Sequence, residues 1–288
     1  MQRTLPGVRL RCLTAGLAAA AVIAGCGDDG PSPPNRFDAA GAMELVRTQV
    51  ALGPRPAGSR ASRDLAERLR QALPGGRFQR VPGGLRNVIG TVPGRDPKRV
   101  VVIGAHYDTK DIPGFVGAID GASGTAVLVQ LAKTLRPGQA EPTVVFALFD
   151  GEESPKGTPE GADAFERRGL RGSKVAAPKL KGAEAMVLLD FVGNQKLALI
   201  REALSDEKLW NRMRAAAKRV GAGWAFPPGI VGEISDDHLP FIEEGVPAVD
   251  LIDFDFPCWH KTCDDLSQVS ERSLDATGEA VLELILSS

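Results

Sequence analysis

The 288-residue chain contains three histidines, His106, His238 and His260, and each has acids close by. Another candidate is the adjacent pair Glu152-Glu153, just after the nearly continuous apolar run from Thr143 to Phe149. A run of that length is what a buried parallel strand looks like, and open α/β sheets bind ligands beyond the carboxyl ends of their strands. Two neighbouring carboxylates in different environments can divide the work, one binding a metal and the other moving protons. Alone, a Glu-Glu pair reads as a solvated acidic turn, because charges ordinarily stay at the surface. The company it keeps changes that weight. His106-Tyr-Asp108, Asp120, Glu152-Glu153, Asp190 and His260 all fall at expected strand ends or in the loops that follow. Two imidazoles with Asp120, Glu153 and Asp190 form a donor set suited to zinc or a similar borderline metal. Taken singly the members are weak, since His-x-Asp can be a simple hydrogen-bonded pair and Asp120 can cap the next helix. Asp108 is expected to fix the His106 imidazole rather than to bind metal. One of Asp236 and Asp237 is expected to face the site, while His238 reads as a structural histidine at a helix start.

Those residues need a frame. Asp38 can cap a helix with Met43, Val46 and Val50 at helical spacing, and Ser59 can cap a second carrying Leu65, Leu69 and Leu73. Strands are expected over residues 87–92, 99–105, 143–149, 185–189, 197–200 and 246–252, with the second ending at His106 and the fourth at Asp190. Helices are expected after Ser123, to about Val220 with Ser205 as the cap, from His238 to Glu244, and over 273–286. Residues 154–172 read as a long, polar, glycine-rich loop. Strands alternating with helices predict one α/β domain, a mixed, mostly parallel central sheet with helices on both faces.

Composition sets the outer bounds. A net charge of −1 and an aromatic content of 5% argue against nucleic acid as a partner. Arg3, Arg9 and Arg11 precede a short alanine-rich apolar stretch, which reads as an export signal over residues 1–25 and not a membrane span. It ends in Ile23-Ala-Gly-Cys26, which resembles a bacterial lipoprotein box and implies lipidation of Cys26. Residues 26–36 then form a flexible tether and 37–288 the catalytic domain. The expected location is outside the bacterial cytoplasmic membrane or on its periplasmic face, with the anchor as the only contact with lipid. An oxidising compartment permits a disulfide between Cys258 and Cys263 around His260, and two free thiols are the alternative.

The motifs Gly104-Ala-His-Tyr-Asp108, Phe115-Val-Gly-Ala-Ile-Asp120, Phe149-Asp-Gly-Glu-Glu153, Leu170-Arg-Gly-Ser173, Leu189-Asp190, Ser235-Asp-Asp-His-Leu-Pro-Phe241 and Trp259-His260 resemble the zinc-dependent aminopeptidase superfamily. Within it they most resemble glutaminyl-peptide cyclotransferases, and Leu52-Gly-Pro-Arg-Pro-Ala-Gly-Ser59 and Arg86-Asn-Val-Ile89 fit as well. The resemblance implies a zinc-exopeptidase (phosphorylase/hydrolase-like) fold acting on peptide or protein N-termini. For a cyclotransferase it implies one zinc on Asp120, Glu153 and His260, with Glu152 as proton shuttle supported by Asp190 and Asp236. Trp259 would be the wall against which an N-terminal glutamine packs. For an aminopeptidase it implies a second ion on His106 and Asp190, bridged by Asp120, with Glu152 activating water. A third class, a lipid-anchored binding protein on an inactive scaffold, would be marked by a lost ligand or a lost Glu152, and neither is lost.

Overall fold

The computed structural model describes residues 35–288; the signal, Cys26 and nearly all of the tether lie outside the described residues. Helix α1 (Ala39–Val50) begins where the Asp38 side chain accepts from the Gly41 amide. Helix α2 (Arg60–Ala72) begins where Ser59 accepts from Ser62. There follow β1 (Arg77–Val81), β2 (Leu85–Val92), β3 (Asp96–His106), α3 (Ala122–Thr134) and β4 (Pro142–Phe149). Then come α4 (Ala162–Arg168), α5 (Arg171–Leu180), β5 (Ala185–Leu189), β6 (Arg201–Glu202) and α6 (Glu207–Arg219). The chain ends with β7 (Ile230–Val231), α7 (Leu239–Glu243), β8 (Ala248–Leu251) and α8 (Glu271–Leu286).

The main sheet has six strands in the order β1-β2-β4-β3-β5-β8, and β6 pairs with β7 separately. Strands β4, β3, β5 and β8 run parallel, while β1 and β2 form an antiparallel edge. The parallel strands are apolar throughout because successive side chains enter different cores. In β4, Val144, Phe146 and Leu148 point into one cluster, with residues of α1, α2, α3, α6 and α8. Val145, Ala147 and Phe149 point into the other, with residues of α5 and α7. In β5 the same alternation sends Val187 and Leu189 one way and Met186 and Leu188 the other. Each fully buried Val, Leu, Met or Phe among them contributes roughly 1.5–3 kcal/mol. The result is an α/β fold with helices on both faces of a mostly parallel sheet, as expected.

Register places the chemistry. His106 pairs with Phe149 across β3 and β4, and Leu189 pairs with Leu251 across β5 and β8. The segments after these strands therefore emerge together at one edge. Helix α3 packs tightly under that edge: a Cβ on Gly124 would fall 2.0 Å from the Leu189 carbonyl oxygen.

Four expectations fail. Residues 197–200 are not a strand; β6 lies just beyond, at Arg201–Glu202. The capping residue of α6 is Asp206, which accepts from Leu209, whereas the Ser205 hydroxyl accepts from the Asp250 amide at 2.9 Å. The stretch 154–172 is not all loop, since it contains α4 and the start of α5, and β1 was not expected at all.

Candidate active site

The carboxyl ends of β3, β4, β5 and β8 deliver the predicted residues to one cleft of about 900 Å³, whose lining includes Asp120, Glu152, Glu153, Asp190, Asp236 and His260. His106 lies just beneath, 1% exposed. Its Nδ1 is 3.1 Å from the Asp108 carbonyl oxygen. A carbonyl only accepts, so Nδ1 carries the proton and Nε2 presents a lone pair when the ring is neutral. That nitrogen lies 3.3 Å from both Asp120 Oδ1 and Asp190 Oδ1. On the other side of Asp120, His260 Nε2 is 3.6 Å from its Oδ2 and 3.2 Å from Glu153 Oε1.

Two donor triads thus share Asp120: His106–Asp120–Asp190 and Asp120–Glu153–His260, each with its ligand atoms within 4.8 Å of one another. His106 Nε2 and Asp120 Oδ2 are buried without a hydrogen-bond partner. Buried polar atoms without partners are costly, and a cation in the triad each atom faces would satisfy it. The residues fit a metal. Burial lowers the His106 pKa, but Asp190, Asp108 and Asp120 outweigh it and raise it well above the ordinary imidazole value.

The two adjacent glutamates are pushed apart. Burial, then the neighbouring Glu153 carboxylate, raises Glu152 well above the usual carboxylate range. Glu153 is also opposed by burial, but the hydrogen bond and charge of His260, with the charge of Lys110, hold it at about 2. One carboxyl is thereby suited to bind a cation and the other to exchange a proton. Asp190 and Asp236 are likewise raised, chiefly by burial.

Asp108 lies against His106, outside both donor triads, and it also has a second contact. Its carbonyl fixes His106, while its carboxylate accepts from the amides of Gly151, Glu152 and Glu153 at 3.0, 3.2 and 3.3 Å. It is the post on which the Glu152-Glu153 turn hangs. Asp236 lines the cleft, whereas Asp237 is buried behind it and accepts from the Ser173 hydroxyl. His238 is buried outside the cleft, its Nε2 3.3 Å from Glu202. The cysteines are joined, Cys258 to Cys263.

Trp259 is 44% exposed on the cleft wall and stacks on His260 with ring centroids 4.5 Å apart; Phe254, 42% exposed, lies 5.0 Å from Trp259. Among the described residues, the non-glycine positions with positive φ are Leu170, Phe191 and His260. His260 is a donor, Phe191 lines the cleft, and the Leu170 amide donates to the Glu152 carbonyl oxygen. Such backbone costs about 1–3 kcal/mol each and concentrates where function fixes geometry.

Sequence reasoning missed three residues. Lys110 donates to Glu153 at 2.9 Å and to Ser154 at 3.0 Å. Arg55 is fully buried and donates to the carbonyls of Val116 and Gly117. Asp264 is buried against the segment leading to Asp120. The signal for Arg55 was its place in the Leu52–Ser59 motif, which carried no assigned role.

Residues 87–285 match peptidase family M28. The chain belongs to that family. Glutaminyl-peptide cyclotransferase from Bothrops jararaca is 26% identical over 232 residues, covering 66% of this chain and 62% of the snake protein. The chain spans about three-fifths of the length of the relatives it matches. Among solved structures, a Bacteroides thetaiotaomicron glutaminyl cyclase bound to N-acetylhistamine superposes with a TM-score of 0.78 at 27% identity, covering 89% of this chain and 100% of that one. A Zn-dependent exopeptidase from Parabacteroides distasonis superposes with a TM-score of 0.76 at 25% identity, covering 89% and 100%. These M28 similarities agree with a zinc-exopeptidase fold and with zinc as the metal of the donor set.

Proposed function

We propose that this M28 protein is a zinc-dependent glutaminyl-peptide cyclotransferase, converting N-terminal glutamine to pyroglutamate with release of ammonia. The observation that carries the reading is Trp259, half-exposed on the cleft wall and stacked on the candidate ligand His260. A flat apolar wall beside the ligands suits the side chain of a glutamine folded back toward its own amine. Asp120, Glu153 and His260 would hold the zinc. A zinc ion bound there supplies Lewis acidity toward the γ-amide carbonyl.

Glu152 takes a proton from the substrate α-amine as its nitrogen bonds to the side-chain amide carbonyl carbon, Cδ, whose bond to the amide nitrogen then breaks. It returns that proton to the departing amide nitrogen, which leaves as ammonia. The raised pKa of Glu152, set by burial and the Glu153 charge, suits a group that both takes and returns a proton. Asp190 and Asp236 line the same cleft, and the Asp236 charge adds to the raising of Glu152, so both would support its proton transfers. Nucleophile and carbonyl belong to one residue, so the protein's contribution is orientation and exclusion of water.

A specific observation favours a second reading, hydrolysis by an aminopeptidase. His106 Nε2 lies equally close to Asp120 and Asp190, which completes the donors for a second ion. In that case Glu152 takes its proton from water. The inactive binding protein is disfavoured by the complete donor set. The export signal and the lipid anchor at Cys26 belong to the same proposal, supported by Arg3, Arg9, Arg11 and the Ile23–Cys26 sequence.

A mass-resolved assay with Gln-Ala-Ala and Leu-Ala-Ala, alongside metal analysis of the purified protein, tests the choice. Loss of ammonia from the glutamine peptide alone, with one equivalent of zinc, is the expected result. Release of free leucine with two equivalents would overturn it in favour of the aminopeptidase.

A further inference from the structure

Asp120 and His260 come from separate segments, and their spacing has to be fixed by contacts between those segments. Asp264 makes them. It is fully buried, and its carboxylate accepts from the amides of Ile119 at 2.8 Å and Asp120 at 3.1 Å. Its backbone carbonyl accepts from Ala118 at 3.3 Å. Three oxygens of one residue thus engage three successive amides of the strip that presents Asp120.

The other end of the brace is equally tied. The Asp264 amide donates to the Lys261 carbonyl at 3.0 Å, and the Lys261 amide to that of Cys258 at 2.9 Å. The Cys258–Cys263 bridge closes the turn that carries Trp259 and His260, with His260 at φ +51°. Behind the Asp120 strip, Arg55 donates to Val116 at 2.8 Å and to Gly117 at 3.3 Å, so the strip is held from both sides. Asp264 belongs to neither donor triad and does not line the cleft.

We infer that Asp264 is a positioning residue that sets the distance between Asp120 and His260, and with it the affinity of the metal site they share with Glu153. The inference rests on the proposal that those three residues bind zinc. Partners that orient ligands from behind typically contribute 10–100-fold to metal affinity. Asparagine cannot substitute, because its amide group would point a donor at one of two N–H donors.

Zinc dissociation constants measured by chelator competition on the purified protein test this, with D264N and D264E beside L69A. Leu69 is a buried residue of α2 outside the cleft and both triads, so L69A reports destabilisation without a change at the site. D264N should weaken zinc about 10–100-fold, and D264E, which keeps both acceptors at a longer reach, should recover part of the loss. L69A should lower the melting temperature and leave zinc affinity unchanged. Cobalt-substituted D264N should also show a shifted ligand-field spectrum. Wild-type affinity in D264N, or equal weakening in L69A, would overturn the inference. If D264N does not fold, wild-type affinity in D264E overturns it instead. A wild-type protein that binds no zinc would defeat the metal reading and this inference together, and is distinguished by failing in the first titration.

Discussion

Replacing Glu152 by glutamine separates proton transfer from metal binding more cleanly than any other single change. The side chain keeps its shape and loses only the ability to accept and return a proton. Glu152 belongs to neither donor triad, and its Oε2 lies 4.0 Å from His106 Nδ1, the nitrogen that faces away from the triad. Zinc content should therefore stay at the wild-type value. Turnover should fall by about 10²–10⁴, or about 2.7–5.4 kcal/mol of lost transition-state stabilisation. Stability should move the other way. Burial and Glu153 raise the Glu152 pKa in the folded state, so above the unfolded carboxylate value the native state binds more protons than the unfolded one. Its contribution to stability then falls as pH rises through that window. Glutamine does not ionise. Metal-free E152Q should melt higher than metal-free wild type at about pH 7, and the difference should close toward about pH 4, near the unfolded carboxylate value. Steady-state turnover, zinc analysis and paired melting curves read all three effects. Near-normal turnover, or zinc lost together with turnover, would refute the assignment of Glu152 as the shuttle.

Other changes probe other parts. W259A should raise KM on the order of tenfold while W259F stays close to wild type, since an aromatic face is what the wall supplies; equal effects in both variants would deny it that role. D108N removes one of the acceptors that hold the Gly151–Glu153 amides, so kcat should drop about 10–100-fold with KM little changed, read by Michaelis–Menten kinetics on the glutamine peptide. Opening the Cys258–Cys263 bridge by a double serine substitution frees a six-residue loop and should cost about 2 kcal/mol, measured by denaturant unfolding in the presence and absence of reductant.

What was legible in the sequence, and what was not, follows from where each signal lies. Strands β4 and β5 are visible because both faces are buried, which gives unbroken apolar runs ending at the chemical residues. Strand β1 is invisible for the opposite reason: Arg77-Phe-Gln-Arg-Val81 is a sheet edge, and only Val81 is buried. Helix α5 hides behind Gly172 and Pro178, and the face it buries is Gly172, Ser173, Ala176 and Ala177, with no large apolar residue to give a period. Leu197 and Leu199 are buried without being strand, so burial was legible there but pairing was not. His106, Asp120, Glu153, Asp190 and His260 could be chosen because histidines are few and each lies near an element end. Asp264 could not, and Arg55 was marked only by its motif without a role, because both act through bonds to backbone amides and carbonyls of the distant 116–120 strip. Side-chain type gives no hint of a backbone partner.

The complete five-donor set does not by itself require two ions, and the reason is charge balance. With one cation on Asp120, Glu153 and His260, the remaining side still holds His106 between Asp120 and Asp190. Without metal, the carboxylates of Asp190, Asp108 and Asp120 raise His106 against its burial, and burial raises Asp190, so this side favours keeping a proton. A peptidase benefits from the second ion because it must bind and ionise a free water molecule. A cyclotransferase receives its nucleophile already attached to the carbonyl it attacks, and needs a proton shuttle and a wall to fold the side chain against. On the proposed reading Glu152 and the Trp259–Phe254 face would supply those two things, which is why we infer cyclisation on a frame shared with hydrolases.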